Sequence, residues 1–126
     1  MENNRWFAVM RDRQDDDWGY GSHDLEEAKE MLAGFGTDDG YIAVIENDVC
    51  VQELEYADLF NTNLVVVDRV GSDGWTDLVE SEEYADKMWD RFTDHDKRRR
   101  DCFYLCTAYT YNGNVVSEIA TIKTYK

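Results

Sequence analysis

The side chains best suited to nucleophilic or metal chemistry in this chain are two histidines, His23 and His95, and three cysteines, Cys50, Cys102 and Cys106. A Cys–His pair needs only to meet in space, so spacing alone neither makes nor excludes one. Cys102 and Cys106, however, fall in a strand-like run where a period of two puts them on one face with Tyr104, the setting of small core residues. Three Cys and two His do not reproduce the paired spacings of a structural zinc site. Asp15-Asp16-Asp17 lacks the alternating ligands and placed glycine of a calcium loop. Gly19-Tyr20-Gly21 is too short for a dinucleotide fingerprint and reads as the turn into a helix. The 28 acidic residues offer many carboxylate pairs for hydrolysis and single out none. The expectation is a non-enzymatic protein with no catalytic residue, no metal site and no cofactor.

Charge is the first feature with functional content. The formal net charge is −15, and residues 1–62 hold 16 Asp+Glu against four Lys+Arg, whereas residues 63–126 hold 12 against nine. Such a surface repels phosphates, which argues against direct nucleic-acid binding. The one basic run, Lys97-Arg98-Arg99-Arg100, follows Asp94 and Asp96 and reads as a solvated helix end complementing the macrodipole. With 43% apolar and 13% aromatic residues the acidity belongs to a folded object rather than a disordered tail. At 126 residues one domain is expected, with a core large enough to need no staples. The odd cysteine count and the polar opening Met1-Glu2-Asn3-Asn4-Arg5 point to free thiols in the cytoplasm. No apolar run reaches the roughly 18 residues of a membrane span. Proline is absent, so Gly, Asn and Asp must shape the turns.

The elements repeat. An offset of 57 residues superposes Trp18 on Trp75, Glu26 on Glu83, Ala28 on Ala85, Met31 on Met88 and Phe35 on Phe92. The apolar runs Phe7-Ala8-Val9-Met10 and Leu64-Val65-Val66-Val67 align at the same offset. The fold class expected is α+β: two degenerate β-α-β-β repeats, over about 5–55 and 62–124, forming mostly antiparallel sheet with two helices packed on it. In the first repeat a strand over 6–11 leads through an acidic loop to a helix over 25–34. Asp24 is its N-cap, Glu27 completes a capping box, and Gly34 and Gly36 end it. Leu25, Ala28, Met31, Leu32 and Phe35 share its buried face. In the second repeat Ser81 is the N-cap, with Tyr84, Ala85, Met88, Trp89 and Phe92 as the buried stripe. Hairpins follow each helix: strands over 41–45 and 49–54 turn at Glu46-Asn47-Asp48, and strands over 102–109 and 115–124 turn at Asn112-Gly113. A helical turn near 56–60 joins the repeats. Trp18 and Trp75, at matching distances before the helix alanine, read either as lids over the helix starts or as surface anchors for a partner.

The stretch from Trp6 to Asp12, with Trp18, Gly21-Ser22, Glu26-Glu27-Ala28-Lys29 and Tyr41-Ile42-Ala43-Val44-Ile45, resembles the opening of small acidic proteins carried on bacterial mobile elements. The resemblance covers about the first 55 residues and implies a context of anti-CRISPR and anti-restriction proteins. Many of those present carboxylates in place of DNA phosphates. The partner expected on that reading is a basic nucleic-acid-binding protein, met through Asp15, Asp16, Asp17, Asp24, Glu26, Glu27, Glu30, Asp38 and Asp39. A mimic of this kind requires these carboxylates on one continuous face. The alternative is a structural or adaptor domain that holds a protein partner through an exposed aromatic or apolar patch.

Overall fold

The computed structural model describes residues 5–35 and 39–126. It divides into two compact units, Met1–Asn61 and Thr62–Lys126, and the fold is α+β. Each unit carries a four-stranded sheet.

In the first unit β1 (Trp6–Met10) lies between β2 (Gly21–Ser22) and β3 (Tyr41–Glu46), with β4 (Val49–Leu54) at the far edge of β3. The β1–β2, β1–β3 and β3–β4 pairs run antiparallel. The pairing of β1 and β3 sets Trp6 opposite Ile45, Ala8 opposite Ala43 and Met10 opposite Tyr41. These residues form one buried face. The alternate residues Phe7, Val9, Ile42 and Val44 are buried as well. Both central strands are thus covered on both faces, which is why their sequences run apolar without alternation. Helix α1 (Leu25–Ala33) packs along β1, β2 and β3 and turns Ala28 and Leu32, both fully buried, inward. Asp24 caps α1 by accepting the Glu26 amide at 3.0 Å, one residue short of the N3 amide that a capping box uses. Gly36 lies outside the described residues. The β3–β4 turn places Asn47 and Asp48 in the left-handed region, at φ 52° and 64°, as a two-residue hairpin requires. The short helix α2 (Tyr56–Leu59) follows β4.

The second unit has the same strand order. β5 (Asn61–Val70) lies between β6 (Asp73–Val79) and β7 (Cys102–Tyr111), and β8 (Asn114–Thr124) edges β7. The β5–β6 and β7–β8 pairs run antiparallel. Helix α3 (Glu82–Asp90) buries Ala85 and Trp89 against Val66, Phe103, Leu105 and Tyr125, with Met88 and Phe92 alongside. Trp89 is the hub: its ring meets Phe103 at 5.3 Å, Phe92 at 5.8 Å and Tyr125 at 5.8 Å between centroids. Tyr125 is held there by its amide, which donates to the Phe103 carbonyl at 2.9 Å, and by its hydroxyl, which donates to Asp86 at 2.6 Å. Lys123 donates to the same Asp86 oxygen at 2.8 Å, so α3 and the chain's last strand share one carboxylate.

Three features differ from the sequence expectation. Each unit has a strand between its first strand and its helix, giving eight strands and four helices among the described residues. Gly21 belongs to one of these added strands, β2, and approaches β1 so closely that a Cβ would collide with the Phe7 carbonyl oxygen. The basic run ends a fourth helix, α4 (Asp94–Arg99), with Lys97, Arg98 and Arg99 in its last turn, but Arg100 is turned inward. Its Nε lies 3.0 Å from Asp68 Oδ1, both buried and off hydrogen-bond alignment, its guanidinium sits 3.7 Å from the Phe92 ring centroid, and it donates to the Asp96 carbonyl. Tyr84, expected in the buried stripe, is 47% exposed, because α3 points it away from the Ala85 and Trp89 face.

Trp89→Ala removes the shared contact of three rings and is expected to cost about 3–5 kcal/mol. Tyr84→Ala, on the exposed side of the same helix, should stay within about 0.5 kcal/mol. Urea unfolding of the two variants beside the parent chain measures both.

Candidate functional site

The loop over 12–17 leaves β1 and carries the densest acidity. Its carboxylates accept from its own backbone: Asp12 Oδ1 from the amides of Gln14 (2.8 Å) and Asp15 (2.9 Å), Asp15 from those of Arg11 and Asp17 (3.1 Å each), and Asp17 Oδ1 from that of Gly19 (2.8 Å). In a chain without proline, these side-chain turns shape the backbone and fix the charges in place. The Arg11 and Asp17 amides hold the Asp15 carboxyl below its usual range. Asp16 is exposed on the same loop.

Arg13 reaches from this loop to the end of β4, pairing with Glu53 at 2.8 Å and with Glu55, and its guanidinium lies 4.0 Å from the Tyr41 ring centroid. Asp12, Arg13, Gln14, Asp39 and Glu55 line a shallow concavity of about 550 Å³. Asp12 and Asp39 therefore meet at the end of the sheet where β1 leaves and β3 enters, and Asp15, Asp16 and Asp17 follow Asp12 on the same loop. Asp24, Glu26 and Glu27 sit at the start of α1, next to His23, whose ring packs edge-on to Trp6 and whose Nδ1 lies 2.8 Å from the Arg5 carbonyl. That is the opposite end of β1, and α1 spans about 13 Å at 1.5 Å per residue. Glu30 lies between the two groups, and Glu26 pairs with Lys29 at 3.1 Å. Asp38 lies outside the described residues.

Beside the acidic loop a cavity of about 230 Å³ is lined by Val9, Arg11, Asp15, Asp17, Tyr20 and Phe35. The rings of Tyr20 and Phe35 lie 5.6 Å apart at 38°, and Tyr20 is 48% exposed. Sequence reasoning placed Tyr20 in a turn and Phe35 in the core stripe. They meet because β2 folds back on β1 while α1 returns along it, a juxtaposition with no signature in their spacing.

The chain matches no protein-family model, no curated protein and no solved structure.

The remaining reactive side chains have structural surroundings. Burial, with Glu118 nearby, pushes the Cys106 thiol up to about 11, which leaves it a poor nucleophile near neutral pH. Cys50 is exposed on β4, and Cys102 opens β7 half-buried. No three His, Cys, Asp or Glu among the described residues are grouped to hold a metal ion. Trp18 is 38% exposed, and its carbonyl accepts from Trp6 Nε1 at 2.7 Å. Trp75 stands mid-strand in β6, opposite Asp68 and 53% exposed, so it is not a lid.

Because the Asp15 carboxyl is depressed in the folded chain, its loop bonds stabilise fully above the unfolded value of about 3.9 and are lost as pH falls through the folded one. An NMR titration should give an Asp15 carboxyl midpoint below 3.8, with the Arg11 and Asp17 amides shifting at the same pH. A midpoint at or above 3.8 would mean that the loop does not hold this carboxylate.

Proposed function

We propose that this chain is a non-enzymatic acidic binding protein that docks the loop end of its first unit on a basic protein surface, as a DNA mimic occupying the groove of a nucleic-acid-binding enzyme. The observation that supports this is the gathering of Asp12, Asp15, Asp16, Asp17, Asp39, Glu53 and Glu55 at one end of a sheet, with Arg11 and Arg13 as the basic residues among them; Asp24, Glu26 and Glu27, at the other end of β1, are not part of this surface. Carboxylates fixed by backbone bonds meet Lys and Arg without first being ordered. A charged face of this kind steers its partner in and loses its hold as salt rises. The resemblance to mobile-element proteins adds an anti-CRISPR or anti-restriction setting.

A second reading, an adaptor held by apolar and aromatic contacts, is favoured by β6, an edge strand exposed from Asp73 to Leu78 that presents Trp75 and Leu78. Salt and substitution separate the two. Tagged protein should capture a nucleic-acid-binding protein from bacterial lysate at low salt and release it at high salt. The triple variant Asp16→Asn, Asp17→Asn, Asp39→Asn should weaken capture at least about tenfold, the equivalent of 1.4 kcal/mol. Capture that ignores salt and these substitutions but is lost in Trp75→Ala would overturn the mimic in favour of the adaptor.

A further inference from the structure

The cavity lined by Tyr20 and Phe35 differs from the open acidic concavity beside it, because two aromatic rings and two carboxylates converge on one small space. Its volume, about 230 Å³, falls below the roughly 300–1,000 Å³ of small-molecule sites and suits a single side chain. The charges are divided within it. Arg11 acts on Asp15, whose two oxygens already accept the Arg11 and Asp17 amides. Asp17 uses Oδ1 for the Gly19 amide, and its Oδ2 has no hydrogen-bond donor among the described residues. The Tyr20 ring is nearly half exposed and is better suited to a partner than to the core.

We infer that this cavity is a socket for one arginine side chain of a protein partner, its guanidinium stacked on the exposed Tyr20 ring beside Phe35 and hydrogen-bonded to Asp17 Oδ2. The inference rests on the reading of the acidic end as a surface for basic proteins and supplies its anchoring contact. A planar guanidinium is the cation that both stacks on a ring and donates to a carboxylate from its edge. Arg11 limits the net charge of the lining, so the socket selects by the rings as well as by charge. Around it, Asp12, Asp16 and Asp39 supply attraction at longer range and no geometry.

The test uses the whole free protein, with N-acetyl-arginine amide as the probe and the neutral isostere N-acetyl-citrulline amide as control, at constant ionic strength. Amide shifts of Gly19 and Tyr20 should saturate with the arginine probe at about 1–10 mM. Tyr20→Leu, which keeps an apolar wall and removes the ring, should weaken binding roughly three- to thirtyfold. Asp17→Asn, which can still accept the Gly19 amide, should weaken it to a similar extent. Dispersed spectra of both variants show that the fold is retained. Equal shifts with citrulline, undiminished binding by Tyr20→Leu, or no saturable shift would each overturn the socket. These results do not depend on capture from lysate. A failed titration with salt-sensitive capture discards the socket alone, and saturable binding without capture discards the mimic alone.

Discussion

The structure depends on burying four central strands, β1, β3, β5 and β7, whose middle residues are covered on both faces. A strand in that position must have every amide and carbonyl paired along both edges, because no water reaches the backbone to replace a missing partner. Each sheet therefore needs an outer strand on either side of its central pair. Those outer strands carry the polarity that the middle excludes. The result is a sharp division in which β1, β3 and the middle of β5 are apolar without alternation, while β4 and β6 are exposed along almost their whole length. Charge is left for the edges, the helix exteriors and the loops at the sheet ends.

Acidic residues also shape the backbone. Asp24 caps α1, Asp58 closes on the Glu55 amide ahead of α2, Asp96 answers Thr93 at α4, and Asp101 accepts the Gly71 amide at the β5–β6 turn. With Asp12, Asp15 and Asp17 in the first loop, these residues make turns and caps that prolines and other polar residues make elsewhere. Part of the net charge is thus a by-product of how the chain turns its corners. A carboxylate that holds an amide remains a carboxylate, so one residue serves both the fold and the surface potential.

Much of this was legible in the sequence because it rests on short-range rules. The two hairpins after the helices were readable from Asn-Asp and Asn-Gly, which tolerate positive φ, and the helix starts from Asp24 and Ser81. The strands missed were those without a pattern. β2 has only two residues, and β6, exposed on its faces, alternates nothing, although Gly71-Ser72 between two runs marked the turn into it. Tyr84 was misplaced because the α3 stripe is narrower than its apolar residues suggest. Arg100 was misplaced because nothing local distinguishes the arginine that meets Asp68 from its neighbours. At the acidic end the turn roles of Asp15 and Asp17 were hidden, since a run of aspartates looks the same whether it caps amides or faces water. Tyr20 and Phe35 could be joined only by the fold.

The exposed outer strands also bear on how this protein behaves in concentrated solution. β4 sets Val49 and Val51 outward with Glu53 as its charged residue, and β8 sets out Ile119 and Ile122. Such edges are templates for pairing with a second chain, and the usual safeguards are bulges, prolines and inward charges. This chain has no proline, and beside the register shifts in the β3–β4 and β7–β8 ladders its safeguard is mutual repulsion between copies that each carry a net charge of −15 at neutral pH. That protection is conditional: near the isoelectric point of about 4.3 it vanishes while the strands remain, making mild acid the condition under which the folded protein is least able to stay dispersed.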